Sequence, residues 1–111
     1  MSRLSASVVS NVATLNIETS SALGVTGGMA LVQAGSSPLL VTRTGASTFT
    51  ALTATCTHAA CTIDGMSSGR FVCPCHGSTF DTSGRVIIGP AVTALRTFTT
   101  AFIGTTLTIT L

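Results

Sequence analysis

The run Thr106-Leu107-Thr108-Ile109-Thr110-Leu111 alternates strictly between polar and apolar residues. Because successive side chains of a β-strand point to opposite faces of the sheet, this period of two predicts a strand with one buried face. The run ATLNIE at residues 13–18 repeats the pattern, and residues 29–33, 38–42 and 47–53 are further strand candidates between turns. No stretch of the sequence shows a convincing helical stripe. The chain is therefore predicted to be all-β, with its strands in a small antiparallel sandwich or barrel.

The composition supports a single β domain over residues 1–111. Charged residues make up only 7% of the chain, against about a quarter in typical globular proteins. About one residue in five is Thr, which favours strands. The net charge of +2, without a basic run or an acidic tail, gives no indication of nucleic-acid binding. No apolar run approaches the length of about 18 residues that a transmembrane segment needs, so none is predicted in this chain.

Residues 54–92 differ from the rest of the chain because they contain all 4 Cys and both His. These residues fall into two blocks, CTHAAC at residues 56–61 and CPCHGS at residues 73–78. Each block offers one Cys and one His close together in sequence, and each contains a second Cys. Thiolate and imidazole ligands in two paired clusters are a metal-site pattern. From these residues alone, a structural zinc site of the Cys₂His₂ type and a pair of disulfide bonds are also alternatives.

Both blocks resemble the signature of the Rieske iron–sulfur proteins, C-x-H followed by C-x-x-H, and are most similar to the group that contains a disulfide. The resemblance extends to FDTSGRV at residues 80–86, which is similar to the turn after the second block in that family. It also includes Gly89-Pro90-Ala91, which resembles the proline loop that covers the cluster. The resemblance implies a Rieske-like fold in which a two-loop cluster-binding subdomain, at about residues 54–92, is inserted into a β base subdomain.

The same resemblance implies a [2Fe–2S] cluster with Cys56 and Cys73 on one iron and His58 and His76 on the other. Two ferric ions, two sulfides and two thiolates sum to zero charge when both His are neutral, whereas four Cys ligands leave a net negative charge. Adding an electron to the neutral cluster is easier, which raises its reduction potential. Reduction then favours protonation of His58 and His76, so the site suits a donor of electrons and protons such as a quinol.

Further roles follow from the resemblance. Cys61 and Cys75 would form a disulfide that joins the two cluster loops. It would close a loop of about 15 residues, which contributes about 3 kcal/mol in the chain-entropy model. Such a bond also favours an oxidising compartment. Ser78 would donate its hydroxyl to a cluster sulfur, and Pro90 would cover the cluster.

Two positions depart from the quinol-oxidising members of the family. Those members usually have Tyr where this chain has Phe80, with the Tyr hydroxyl on a cysteine sulfur, and often have Leu where it has Ala59. A hydrogen bond to a charged group contributes about 1.5–3 kcal/mol, so its absence lowers the potential by about 65–130 mV. The sequence therefore predicts a reduction potential below the top of the Rieske range.

The predicted function is one-electron transfer, by an electron-transfer protein or subunit rather than an enzyme. In the first hypothesis the chain is the soluble domain of a membrane-associated or periplasmic oxidoreductase, extracytoplasmic, with its signal or anchor outside this sequence. In the second it is a free-standing, cytoplasmic Rieske-type ferredoxin that serves an oxygenase or reductase. The third is a structural zinc-binding module without a redox role. The expected partner is a redox protein or a quinol at a tip formed by His58 and His76.

Overall fold

The computed structural model describes residues 1–57, 61–75 and 77–111, and within them the chain forms strands and no helix. No described segment is therefore a helix that could cross a membrane. In chain order the strands are β1 (Ser2–Val9), β2 (Val12–Asn16), β3 (Met29–Ala34), β4 (Ser37–Arg43), β5 (Phe49–Thr53), β6 (Gly65–Ser67), β7 (Arg70–Val72), β8 (Thr79–Phe80), β9 (Val86–Ile88), β10 (Thr97–Ile103) and β11 (Thr106–Thr110). The all-β prediction is confirmed, and β2, β3, β4, β5 and β11 overlap the runs predicted from periodicity.

Seven of these described strands close into a barrel in the order β1-β2-β11-β10-β5-β4-β3. Neighbouring strands are antiparallel except for β1 and β3, which pair in parallel and complete the ring. Strand β11 lies as its alternation predicts, with Leu107 and Ile109 fully buried and Thr106 and Thr110 exposed. The barrel form of the prediction is confirmed, and closure leaves this sheet without an open edge.

Strand β4 has no polar face because an apolar core lies on each side of it. Leu39 and Val41 belong to the core that includes the inward-facing residues of β11. Leu40 belongs to a second core, together with Leu31 of β3 and Leu52 of β5. Burying an aliphatic side chain of this size contributes about 1.5–3 kcal/mol. Strands β3, β4 and β5 therefore form a wall between two cores.

The second core is completed by a small antiparallel sheet with the order β6-β7-β8-β9. In the chain this sheet comes between β5 and β10, which pair with each other in the barrel. Phe71 of β7 and Phe80 of β8 are opposite each other in the sheet, and both are fully buried in the second core. This shared core fixes the small sheet against the barrel wall. The division into a base subdomain and a cluster-binding subdomain at about residues 54–92 stays a prediction.

Candidate metal centre

The first Cys block begins after the two residues that follow β5, and its described residues, Cys56, Thr57 and Cys61, are here called the first loop. An isolated antiparallel bridge between Thr55 and Thr62 brings the two ends of the loop together. Within this bridge the Cys56 N–H donates to the Cys61 carbonyl, with 2.8 Å between nitrogen and oxygen. Cys56 is buried, with 2% of its surface exposed. The loop therefore begins with a thiol that is enclosed by the protein.

The second Cys block is the connection between β7 and β8. Val72 and Thr79 are opposite each other at the end of the sheet, and the Cys73 N–H donates to the Ser78 carbonyl at 2.8 Å just beyond them. The Gly77 N–H donates to the Cys73 carbonyl at 3.1 Å. Gly77 has a φ of +77°, a conformation that favours Gly because other residues meet a steric cost there. Cys73, like its counterpart in the first loop, is buried at the first position of a hydrogen-bonded loop.

A disulfide bond between Cys61 and Cys75 joins the two loops, which confirms the predicted pairing. The two Cα atoms are 6.4 Å apart, within the usual range for disulfides. Cys75 is exposed and Cys61 is half-buried. Cys56 and Cys73 lie outside this disulfide and are both buried. The 4 Cys of the chain thus divide into a bridging pair near the surface and a buried pair.

A third segment, here called the cover segment (residues 89–95), contacts both Cys loops. The Ala91 N–H donates to the buried Ser78 hydroxyl, with 3.1 Å between the two atoms. The Thr57 hydroxyl donates to the Thr93 carbonyl at 2.7 Å. One hydrogen bond therefore ties the cover segment to the second loop and another ties it to the first.

Both ends of the cover segment have a defined conformation. At its start, the Gly89–Pro90 peptide bond is cis, and Pro90 is exposed. At its end, the Leu95 N–H donates to the Gly84 carbonyl at 2.8 Å. Gly84 has a φ of +90°, and a Cβ atom there would lie only 3.1 Å from the Leu95 carbonyl oxygen, so this close approach requires Gly. The predicted covering residue Pro90 is thus part of a segment whose last residue is tied to the turn after β8.

Phe80 belongs to the same buried core as Cys56 and Cys73. The residue is fully buried and pairs across the sheet with Phe71. Because its ring carries no hydroxyl, Phe80 fills space in this core without offering a hydrogen bond to any sulfur. Phe80 is therefore a core residue that shares its core with both buried thiols.

The remaining predicted ligands, His58 and His76, lie outside the described residues, as does Ala59. Within the described ranges, no group of three or more His, Cys, Asp and Glu side chains could hold a metal. Cys56 and Cys73 lie in a core of apolar side chains, where a net charge is costly. Two thiolates with two neutral imidazoles fit an oxidised [2Fe–2S] cluster there, because the whole is neutral. A zinc ion with the same four ligands would also be neutral, so the charge balance alone does not separate the two groups.

The nearby carboxylates have structural explanations outside the metal centre. The Asp81 Oδ1 accepts hydrogen bonds from the Ser83 and Arg85 N–H groups, each at 2.9 Å, and so closes the turn after β8. Asp64 forms an ion pair with Arg3 at 3.4 Å, with side chains that are 46% and 69% exposed. Exposed ion pairs of this kind contribute little to stability. Neither carboxylate is needed as a ligand or as an acid–base group.

The sequence did not identify Thr57 and Ala91 as parts of the site. Thr57 stands between Cys56 and the predicted ligand His58, so its position in the first block was a usable signal. Its partner, the Thr93 carbonyl, is 36 residues away in the chain and leaves no local pattern. Ala91 contributes only its main-chain N–H, and no pattern of side chains in the sequence can predict such a contact. Contacts of this kind are found only in the folded structure.

Comparison with known proteins separates the iron–sulfur centre from a zinc site. The chain matches the model of the Rieske [2Fe-2S] domain family over residues 14–99. It is 47% identical over 45 residues to the cytochrome b6-f complex iron-sulfur subunit of Synechococcus elongatus, covering 40% of this chain and 25% of that protein. It is 49% identical over 45 residues to the cytochrome b6-f complex iron-sulfur subunit 2 of the Cyanophora paradoxa cyanelle, covering 40% of this chain and 19% of that protein. The chain thus spans a quarter or less of the length of these curated relatives.

Solved structures show the same fold. The plasma membrane Rieske protein of Synechocystis PCC 6803 superposes with a TM-score of 0.61 and 28% identity, covering 89% of this chain and 85% of that chain. The ferredoxin of carbazole 1,9a-dioxygenase from Nocardioides aromaticivorans IC177 superposes with a TM-score of 0.62 and 21% identity. The superposition covers 86% of this chain and 95% of that chain. At that low identity the second similarity shows the fold alone.

The family match includes every feature of the site described above. Residues 14–99 contain both Cys loops, the disulfide between them and the cover segment. The matched family is named for its [2Fe–2S] domain, and the proteins compared above are iron–sulfur subunits, a Rieske protein and a ferredoxin, which are electron-transfer components rather than catalytic enzymes, as predicted. The resemblance of the two Cys blocks is therefore confirmed, and the chain belongs to the Rieske [2Fe-2S] domain family.

Proposed function

We propose that this chain transfers single electrons through a [2Fe–2S] cluster held by Cys56 and Cys73 on one iron and by His58 and His76 on the other. The observation that carries this proposal is the pair of buried Cys, each at the first position of a hydrogen-bonded loop. A disulfide holds these two loops together, so the two thiols are kept in a fixed relation. The His at the matching positions of each block complete the ligand set of the family.

The bound cluster supplies a site that accepts one electron at a time. The ligands from the chain raise the reduction potential of this site, because two thiolates and two neutral imidazoles give the oxidised site no net charge. Each of His58 and His76 also has a second ring nitrogen that can hold a proton. Uptake of an electron and of a proton are then coupled at these His, which supports a quinol or a similar hydrogen donor as the partner.

Ser78 is proposed to donate its hydroxyl to a cluster sulfur. Its oxygen accepts the Ala91 N–H, and the residue is 0% exposed, so bulk water does not reach it. A hydroxyl has one proton to donate and can accept at the same time, so this proton stays available. Phe80 offers no second hydroxyl, which supports the lower reduction potential predicted from the sequence.

The region of about residues 54–92 is proposed to act as a cluster-binding subdomain on the barrel as its base. The small sheet and the barrel wall share one apolar core, which supports a rigid connection between the two. With the thiols buried, His58 and His76 are proposed to form the tip through which electrons enter and leave. Pro90, exposed in the cover segment, is proposed to shield the cluster from the side.

The chain is proposed to be the soluble domain of a membrane-associated or periplasmic oxidoreductase, in an extracytoplasmic location. The Cys61–Cys75 disulfide supports this, because disulfides persist in oxidising compartments. The curated relatives are named as iron-sulfur subunits of the cytochrome b6-f complex, and a similar solved structure is named as a plasma membrane protein. The partner at the tip is then a quinol or a redox protein of that assembly.

A free-standing ferredoxin that serves an oxygenase or reductase is the second candidate. The fold similarity to the carbazole dioxygenase ferredoxin extends over 95% of that chain, so nearly a whole ferredoxin is matched. The disulfide between Cys61 and Cys75 argues against this candidate, since ferredoxins of that kind generally lack the Cys pair.

Stepwise reduction tests these candidates. Purified protein with measured iron and acid-labile sulfide is treated first with ascorbate and then with dithionite, while its visible absorption is followed. Bleaching by ascorbate supports the quinol-linked domain, whereas bleaching by dithionite alone supports the ferredoxin. A colourless protein that contains zinc and no sulfide would contradict both.

A further inference from the structure

The turn after β8, residues 81–85, lies outside the predicted ligand set, yet it packs against the end of the cover segment. The Leu95 N–H donates to the Gly84 carbonyl at 2.8 Å. A Cβ atom on Gly84 would lie 3.2 Å from the Leu52 side chain and 3.3 Å from the Leu95 side chain, so the turn leaves no spare room at this contact. Leu52 and Leu95 belong to the second core, which also contains both buried thiols. The turn therefore connects the cover segment to the core beside the metal centre.

The side chain of Asp81 closes this turn with two hydrogen bonds. Its Oδ1 accepts the Ser83 N–H and the Arg85 N–H, each at 2.9 Å. Because the Arg85 N–H and the Gly84 carbonyl belong to one planar peptide group, they point in opposite directions from it. Asp81 therefore binds one end of this peptide group, and the Leu95 N–H binds its other end. A rotation of the peptide group that breaks one of these bonds disturbs the other as well.

The cover segment depends on such contacts because it forms no strand. Ala91 and Leu95 are each 3% exposed, whereas residues 92–94 between them are exposed. The Ala91 N–H donates to the Ser78 hydroxyl at 3.1 Å. Because Leu95 follows so soon after Ala91 in the chain, a displacement of Leu95 shifts the main chain that carries the Ala91 N–H. The hydrogen bond on Ser78 therefore depends on the turn that holds Leu95.

We propose that Asp81 is a positioning residue for the redox site and acts on the Ser78 hydroxyl through the cover segment. This role rests on the proposed function, in which Ser78 donates its hydroxyl to a cluster sulfur. With the turn closed, the Ala91 N–H stays on the Ser78 oxygen, and the hydroxyl proton stays directed toward the sulfur. Without the Asp81 side chain, the cover segment shifts and part of the hydrogen bond to sulfur is lost. The reduction potential of the cluster then falls.

Redox titration of the cluster-loaded protein tests this proposal with a matched pair of variants. Asp81→Ala removes both the charge and the acceptor, whereas Asp81→Asn removes the charge but keeps an amide oxygen that can accept both N–H groups. The lost charge is the same in the two variants, so a difference between them reports the hydrogen bonds. The potential of Asp81→Ala should lie below that of Asp81→Asn, by no more than the fall caused by Ser78→Ala.

Asp64 provides the control, because its side chain pairs with the exposed Arg3 side chain. Asp64→Ala and Asp64→Asn should therefore have equal potentials. In the Ser78→Ala background, Asp81→Ala and Asp81→Asn should also have equal potentials, because the hydroxyl through which Asp81 acts is absent. Iron and acid-labile sulfide are measured in every protein. A wild-type protein without the cluster would contradict the proposed function itself, which is a different result from a failure of the positioning role.

Two results would overturn the positioning role. One is a potential of Asp81→Ala that is equal to or higher than that of Asp81→Asn while Ser78 is present. The other is a difference between these variants that is as large in the Ser78→Ala background, because Asp81 would then act on the cluster without Ser78. If Asp81→Ala loads too little cluster for titration, Asp81→Ser replaces it in each comparison, since a Ser hydroxyl forms such turns more weakly than Asp.

Discussion

The barrel and the two Cys loops keep their shapes by different means. In the barrel, many apolar side chains such as Val32, Leu107 and Ile109 are each fully buried, so the stabilising free energy is spread over many residues. The loops depend on a few specific links, above all the Cys61–Cys75 disulfide and the hydrogen bonds to the cover segment. Substitutions in the barrel should therefore lower the stability of the whole chain. Substitutions in the loops should instead affect how firmly the cluster is held and its reduction potential.

The largest effect is expected for Leu107→Ala in β11. Removing most of a fully buried Leu side chain leaves a cavity and lowers the free energy of unfolding by about 2–5 kcal/mol. Urea denaturation followed by far-ultraviolet circular dichroism measures the loss. Thr110→Ala, on the exposed face of the same strand, should change stability by less than about 0.5 kcal/mol. Equal losses in the two variants would contradict the account of the barrel.

Removing the disulfide should act on the loops first. In the double variant Cys61→Ser with Cys75→Ser, the unfolding free energy falls by about 3 kcal/mol in the chain-entropy model. In addition, the loops should separate and release the cluster before the barrel unfolds. The measurement is the visible absorption of the cluster against the circular dichroism of the strands in one urea series. Simultaneous loss of both signals, as expected for a barrel variant, would show that the loops are not held independently.

A hydroxyl added at Phe80 should raise the reduction potential. Phe80→Tyr places a donor in the core that contains both buried thiols, and a hydrogen bond to a charged group of about 1.5–3 kcal/mol corresponds to a rise of about 65–130 mV. Redox titration of the visible spectrum measures this. Phe102→Tyr, in the barrel, should leave the potential unchanged. If Phe80→Tyr gives no rise, the ring does not lie beside a cluster sulfur.

The opposite change at Ser78 should lower the potential by a similar amount. Ser78→Ala removes the proposed hydroxyl donor, and about 65–130 mV is expected from the same hydrogen-bond energy. Ser83→Ala provides the control, since the Ser83 side chain is exposed and only its N–H is used in the turn. An unchanged potential in the Ser78→Ala protein would show that the Ser78 hydroxyl donates to no cluster sulfur and only accepts the Ala91 N–H.

The smallest effect is expected for Thr57→Val in the first loop. This change removes the hydroxyl that donates to the Thr93 carbonyl, a hydrogen bond worth about 0.5–1.5 kcal/mol. The cluster should be lost faster on incubation with a chelator, while the urea midpoint of the barrel stays nearly the same. Thr62→Val, at the exposed end of the same loop, is the matched control. Equal rates of cluster loss in the two variants would exclude a role of this bond in holding the loop.

The barrel was largely predictable from the sequence because its strands are long enough to show alternation. Strand β11 lies as predicted, and β4 was found as a strand, although burial of Leu40 on its second face depends on the small sheet. Strands β1 and β10 were missed, although Leu4, Ala6 and Val8 alternate with polar residues in β1 and burial alternates along β10. Strands β6 to β9 have two or three residues each, too few for any period to appear.

The site was predictable only as far as its motif reached. The Cys61–Cys75 pair came from the resemblance to a family, because spacing alone allowed other pairings. The Ala91 N–H and the Ser78 hydroxyl belong to residues that are 13 apart in the chain. Because one partner is a main-chain group, no sequence motif predicts this contact. The resemblance of the motif thus predicts which residues carry the chemistry, and the structure supplies the links between the segments that contain them.

The central claim is that two Cys and two His hold a [2Fe–2S] cluster in this chain. Electron–nuclear double resonance on the dithionite-reduced protein, labelled with ¹⁵N at histidine, tests it most directly. The chain has 2 His, so the label reports on His58 and His76 alone. The account predicts a paramagnetic iron–sulfur signal with coupling to two histidine nitrogens. A signal without that coupling, or a protein fully loaded with metal that gives no such signal, would contradict it.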